Sequence, residues 1–579
     1  MPVIFPIRRT AAAVLALSLA IAPVTFSGPA QAEGNVGAYL AGRQALFDSK
    51  YDKAAAYYTR ALAGDSANPV LLENLTLSLL ALGAVDRALP VAQQMEALGL
   101  RSQIAHMVAL AGLIQDEDYQ KILERDPDVN GVSPLVDGLA KGWALMGQGA
   151  VDEALKEFDL VGEGKGLRGF ALYHKALARA MVGDHEGAEA MFAADDGKLT
   201  LMSRRAAMAR AQSLSQMGRN SDALELLADV FGANFDPGLT DMADRLAAGE
   251  TLPFTVTPTV RDGMAEVFFT IGSVLNGEAA DDYALIYART AVALRPDHID
   301  GVLLSAALLD NLGQYELSDA TYKLVPRSHP DYHAAELGRA EALRRAAKPD
   351  AAIEVLEQLA RDFPTLPTVH SALGDLQRQE ENYAKAAAAY DKALEFSETD
   401  SGSRWFLLYA RGISNERLKD WSQAEKDFRA ALDLNPNQPQ VLNYLGYSMV
   451  EKRINLDEAL GMIERAVSAR PDSGYIVDSL GWVLYRLGRY GEAVEHMERA
   501  VELMPVDPIV NDHLGDVYWA VGRLREAEFQ WSRALSFIKP DENNAEADPD
   551  RIRRKLEVGL DKVLAEEGAP PLKVANDDG

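Results

Sequence analysis

A spacing of 34 residues constrains this chain more than any other feature. The run LGWVLYRLGRYGEAVEHMERAVELMP (480–505) realigns with LGDVYWAVGRLREAEFQWSRALSFIKP (514–540). Leu480-Gly481 falls on Leu514-Gly515, Gly488 on Gly522, Ala493 on Ala527 and Ala500 on Ala534. One period upstream, LGYSMVEKRINLDEALGMIERAVSARP (445–471) repeats the pattern with a single inserted residue, and RGISNERLKDWSQAEKDFRAALDLNP (411–436) precedes it. Self-similarity at such a period predicts a solenoid of stacked helix pairs.

Each part of the repeat has a physical reason. Small residues mark the points where two helices cross closely, since a larger side chain would hold them apart. Gly punctuates the turn between the helices, and a closing Pro stops the second one. A lone pair cannot bury both of its faces, so neighbours must stack to complete the core. This is the tetratricopeptide-repeat pattern, and it predicts an all-α right-handed superhelix. Units are expected at 35–68, 69–102, 103–134 (degenerate), 135–168, 169–202 and 204–237. They resume at 265–298, 299–332, 333–366, 367–400, 405–438, 439–473, 474–507 and 508–541. The small residue of the second helix recurs as Ala54, Ala88, Ala154, Ala188, Ala223, Ala284, Ser318, Ala352, Ala386, Ala424, Ala459, Ala493 and Ala527. Between the two series, 238–264 holds Pro253 and Pro258 among β-branched residues, which disfavours helix and predicts a linker dividing arrays at 35–237 and 265–541. After an acidic stretch, Ile552, Leu556, Leu560, Val563 and Leu564 share one face of a single capping helix expected at 548–566, and 567–579 reads as a disordered tail.

The N-terminus (residues 1–32) has the form of a cleavable export signal. Arg8-Arg9 precede an apolar stretch from Thr10 to Ile21, and Ala30-Gln31-Ala32 forms a small-residue cleavage site. Export places the mature chain in a bacterial periplasm. No later segment is apolar enough to predict a transmembrane span. The sequence contains no cysteine, which removes disulfides, thiol catalysis, thiolate-bound zinc and a lipid-anchor cysteine from consideration. A formal net charge of −28 argues against nucleic acid as a partner.

Catalytic constellations are not expected. The nine histidines form no HExxH. His329 and His333 are four apart, but Pro330 lies between them at a repeat boundary, so no helix aligns them for a metal. GEGKG (162–166) resembles a fragment of a phosphate loop, yet Gly follows its Lys where Ser or Thr is required, and it reads as a turn. The chain is therefore expected to be no enzyme and to need no cofactor or metal.

Binding is expected on the first helices, which line the concave face of such arrays. In the last units Asn443, Tyr444, Tyr447, Asp478, Trp482, Tyr485, Asp512, His513, Asp516 and Trp519 are candidates, since aromatics beside polar groups make binding hot spots. Asp478, Asp512 and Asp516 stand where some arrays carry cations to grip a C-terminal carboxylate, so a basic or apolar protein segment is the expected ligand. Residues 442–535 closely resemble a segment of large exported tetratricopeptide-repeat proteins of Gram-negative bacteria. Within that group, length and architecture resemble the outer-membrane adaptors that partner a carboxyl-terminal processing protease. The resemblance implies a scaffold that binds the protease and presents its substrates. Those adaptors are anchored through a cysteine that this chain lacks. The competing expectation is a repeat subunit of an envelope assembly, in polysaccharide export or outer-membrane biogenesis.

Overall fold

The structure is a computed structural model that describes residues 31–194, 203–232, 235–399, 402–538 and 547–572. Most of the expected export signal and most of the expected tail lie outside the described residues. Among the described residues every regular element is an α-helix. The chain divides into two compact units, one ending at Leu324 and the other beginning at Val325.

In both units the helices come as pairs at the predicted period. The pairs Gly474–Arg486 with Tyr490–Leu503 and Pro508–Ala520 with Leu524–Phe537 are typical. All thirteen recurring small residues, from Ala54 to Ala527, have 0% exposure. The first helix contributes a close approach of its own. A methyl group on Gly412 would lie 2.6 Å from the Phe428 ring, and one on Gly481 would lie 2.7 Å from Met497. Both partners sit sixteen residues further on. In the unit with the inserted residue Gly446 meets Ile463, seventeen residues on. The extra residue is absorbed in the turn, where Arg453 and Asn455 both take left-handed backbone conformations. Pro at the first helical position opens many units, as in Asn68-Pro69 and Asp507-Pro508, where the preceding side chain accepts the first free backbone N–H groups. The degenerate unit is also visible. Its second helix is cut to Tyr119–Glu124, followed by one turn at Pro127–Asn130.

The expected linker at 238–264 is largely built into the first unit. Asp236 caps a helix, Pro237–Ala247, and a Thr259/Asp262 capping box starts Val260–Leu275. The residues between run extended along the helix Arg204–Gln216. The Leu252 N–H donates to Ser215 Oγ (2.9 Å), the Thr255 N–H donates to Gln212 Oε1 (2.9 Å), and Arg205 donates to the Val256 carbonyl (3.1 Å). Side chains of the preceding helix thus satisfy the backbone groups that the prolines keep out of a helix.

The hairpin that follows, Val260–Leu275 with Asp281–Leu294, packs on the first helices of the same unit: Pro69–Ala81, Gln103–Gln115, Pro134–Gly147 and Arg168–Met181. A methyl on Gly263 would run into the Trp143 ring. Tyr283 Oη donates to Gln103 (3.2 Å), and Arg289 donates to the Ala81 carbonyl (3.1 Å). Glu266, at 0% exposure, anchors the hairpin electrostatically. It receives Arg205 (2.8 Å), His298 (3.2 Å) and the Tyr173 hydroxyl (2.9 Å), while Arg205 also reaches Asp300 (2.8 Å). Burial alone would raise the Glu266 carboxyl, but Arg205 and His298 hold it far below the usual range. A small space of about 50 Å³ lies against the hairpin beside Tyr173 and Phe269.

Candidate functional site

In the second unit the first helices Arg404–Arg417, Pro439–Lys452, Gly474–Arg486 and Pro508–Ala520 enclose a cavity of about 320 Å³. Five of the ten predicted residues line it: Asn443, Tyr444, Tyr447, Asp478 and His513. The period of the repeat explains part of this: Asn443 and Asp478 are equivalent positions, 35 apart because of the inserted residue, and His513 stands one residue past the next equivalent position. Asn443 is 7% exposed, and its side-chain carbonyl oxygen has no hydrogen-bond partner.

Asp478 and His513 form the floor. His513 Nδ1 donates to both Asp478 oxygens at 3.1 Å. Burial would push the imidazole down, but the Asp478 carboxylate outweighs it, so His513 is held above its ordinary value. The ring is stacked on Trp482, with centroids 3.9 Å apart and planes at 14°, and Trp482 stacks in turn on Tyr485 at 4.9 Å. The indole N–H donates to Glu451 (3.0 Å).

The other five predicted residues do not line this cavity. Trp482 and Tyr485, 9% and 8% exposed, fill the space between units and support the floor. Asp512 and Asp516 lie beneath the C-terminal cap. Lys555 Nζ sits 2.9 Å from both Asp512 oxygens and 2.6 Å from Asp516 Oδ1. Burial raises the Asp512 carboxyl, against the opposing pull of Lys555. Trp519 packs on Trp531 (5.4 Å) and donates to Asp561 (2.9 Å). The cap is two helices, Pro549–Val558 and Leu560–Glu566, where one was predicted. Gly559, at φ 83°, makes the break with its Cα against the Trp519 ring, an approach that only glycine permits.

Sequence reasoning missed Tyr475, Glu416 and Ile509, which are among the other residues lining the cavity. It also missed a second cavity of about 440 Å³ in the same unit, lined by Leu337, Glu341, Arg344, Asp375, Arg378 and Phe406. The signal for both lay in the first-helix positions one turn from those chosen, beginning with the exposed aromatics Tyr475 and Phe406. His329 and His333 are used locally: His329 Nδ1 accepts from the Asp331 N–H (3.1 Å), and His333 Nδ1 donates to the Pro330 carbonyl (2.9 Å). Among the described residues no three His, Asp or Glu side chains converge as metal ligands, and no helix is long and apolar enough to cross a membrane.

Tetratricopeptide-repeat family models match residues 337–401 and, for a second model, 405–438 and 477–505. With the helix pairs and their spacing, these matches place tetratricopeptide repeats within residues 337–505, and such repeats serve protein–protein interaction and are typically non-enzymatic. Among curated proteins it is similar to a TPR repeat-containing protein of Pseudomonas aeruginosa, 30% identical over 168 residues, which are 28% of this chain and 27% of that one. It is also similar to human protein O-mannosyl-transferase TMTC1, 25% identical over 175 residues, 30% of this chain and 20% of that one. The chain thus spans about a quarter or less of the length of these relatives. Among solved structures it is similar to a chain of the APC/C hetero-tetramer Cut9-Hcn1 at 16% identity, covering 90% of this chain and 96% of that one, with a TM-score of 0.37.

Proposed function

We propose that this chain is a non-enzymatic adaptor of the bacterial cell envelope, holding a protein segment in the cavity of its second unit. Its partner on this reading is a periplasmic carboxyl-terminal processing protease, to which it brings substrates. The cavity carries the binding part of the proposal. It combines half-buried Tyr444 and Tyr447, the exposed Tyr475 and the unpartnered carbonyl of Asn443, a set suited to an inserted segment that offers both apolar surface and an N–H donor. The envelope part is supported by the signal-like N-terminus and by the resemblance over 442–535.

The test is affinity purification of the tagged chain from envelope extract, beside a Tyr447→Ala variant. Recovery of a protease whose turnover rises when the purified chain is added, with at least tenfold weaker capture by Tyr447→Ala at unchanged helicity, is the expected result. Equal capture by the variant overturns the cavity. Recovery of export or outer-membrane biogenesis subunits in place of a protease overturns the protease and favours an assembly role.

A further inference from the structure

The helix Pro549–Val558, PDRIRRKLEV, lies outside the 34-residue register yet is seated on the last repeat. A helix that merely closes a solenoid needs an apolar stripe. This one buries a single apolar side chain completely, Ile552 at 0%, and three residues later it buries Lys555 at 1%. Placing an ammonium there removes it from water, and it is tolerated because Asp512 and Asp516, four apart on one face of Pro508–Ala520, both meet it. Arg551 adds a longer contact to Asp516 (3.7 Å).

A buried ion pair of this kind is a poor source of stability compared with packed apolar residues, but it discriminates strongly among the side chains that could enter. The two carboxylates are presented by a first helix, which is the partner-facing helix of the cavity one repeat earlier. Residues 538–548 join the seated helix to the array, so it occupies the site as a tethered segment.

We propose that the face carrying Asp512 and Asp516 is a recognition site for a basic amphipathic helix of a partner protein, one presenting an apolar residue followed three positions later by lysine, and that Pro549–Val558 fills this site in cis. Tethering gives the chain's own helix an effective concentration on the order of millimolar, so a partner enters only when its helix competes at that level. The site is separate from the cavity around Tyr447, and neither assignment depends on the other.

The probe is a fluorescent synthetic peptide of residues 547–568, titrated into the full chain. Lys555→Glu repels its own helix from the acid pair and is expected to capture the peptide at least tenfold more tightly than the unmodified chain. It is also expected to bind at least tenfold more tightly than Lys555→Glu combined with Asp512→Asn and Asp516→Asn. Capture of a scrambled peptide of the same composition with equal affinity reduces the effect to net charge and overturns the proposal, as does the absence of peptide binding by Lys555→Glu at retained helicity. A second measurement avoids the variants. In the unmodified chain, excess peptide raises hydrogen exchange of 549–558 severalfold, whereas a peptide with glutamate in place of its lysine does not. Exchange that stays unchanged with both peptides overturns the proposal.

Discussion

The first-helix faces of the two units are used in opposite ways. In the first unit, the face formed by Pro69–Ala81, Gln103–Gln115, Pro134–Gly147 and Arg168–Met181 is covered by residues 260–294, with a space of about 50 Å³ beside Phe269. In the second unit the equivalent face lines cavities of about 320 and 440 Å³ and, among the described residues, is covered at its end by the helix bearing Lys555. The 34-residue unit therefore does not itself decide whether a groove is open. That depends on whether a later segment carries a surface that fits it.

The strongest way to break this contrast is to loosen the filler. Glu266→Ala leaves Arg205 buried with Asp300 as its only carboxylate partner among these groups, and orphans the Tyr173 hydroxyl. Removal of one partner from a buried ion pair costs about 3–5 kcal/mol, so the first unit is expected to unfold at markedly lower temperature while the second keeps its transition. Calorimetry measures both. A loss below about 1 kcal/mol would show that apolar packing alone seats the hairpin.

Acidification should separate the units next. His174 is fully buried, its Nδ1 accepts the Trp143 indole N–H (3.1 Å), and burial pushes it down to about 4. A base whose folded value is lowered stabilises fully above its unfolded value of about 6.5 and loses that contribution as pH falls below it. Between pH 7.5 and 5.5 the first unit is expected to lose about 1.4 kcal/mol from His174. His298 is lowered too, first by burial and then by Arg205, and acts in the same direction. His513 is raised, so its contribution is complete below about 6.5 and is lost as pH rises through the folded value. The same step to pH 5.5 therefore favours the second unit. Parallel shifts of the two transitions would contradict this.

The smallest effect concerns a turn. Lys419 has φ 66° at the position where later units have Gly488 and Gly522. Lys419→Gly relieves left-handed strain of about 1–2 kcal/mol but loosens the unfolded chain, so a net gain of about 0.5 kcal/mol is expected in the denaturation midpoint of the second unit. A lower midpoint would assign the Lys419 side chain a contribution larger than the strain.

Helix pairing and spacing were readable because they are imposed locally. A small residue at Ala424 or Ala493 answers a helix within its own unit, so period alone locates it. The filling of the first groove was harder to read. A first helix can be buried on all sides whether it lines a groove or covers one: residues 476–485 are buried throughout, much as 263–269 are. The available signal was in the second helix. The helix Asp281–Leu294 is buried continuously from Ala284 to Ala291, whereas Tyr490–Leu503 buries only a stripe. At the candidate site, that Asn443 and Asp478 stand at equivalent positions, with His513 one residue past the next, follows from the period. The capture of Asp512 and Asp516 does not, because Lys555 lies outside the repeats. The basic run RIRRK was in view, but its seat depends on the path of the chain after the last repeat.

The buried hairpin also sets a schedule for folding. In the second unit the tertiary bonds span short distances along the chain: Trp482 to Glu451 covers 31 residues and Lys555 to Asp512 covers 43. Each repeat there can settle soon after its neighbour is synthesised. In the first unit Gln103 waits 184 residues for Tyr287, and the Ala81 carbonyl waits 208 for Arg289. Until residue 294 is available, the helices from Pro69 to Met181 keep an apolar face without its cover. The first unit therefore closes only after its last hairpin is made, and in that interval its uncovered apolar face is open to aggregation.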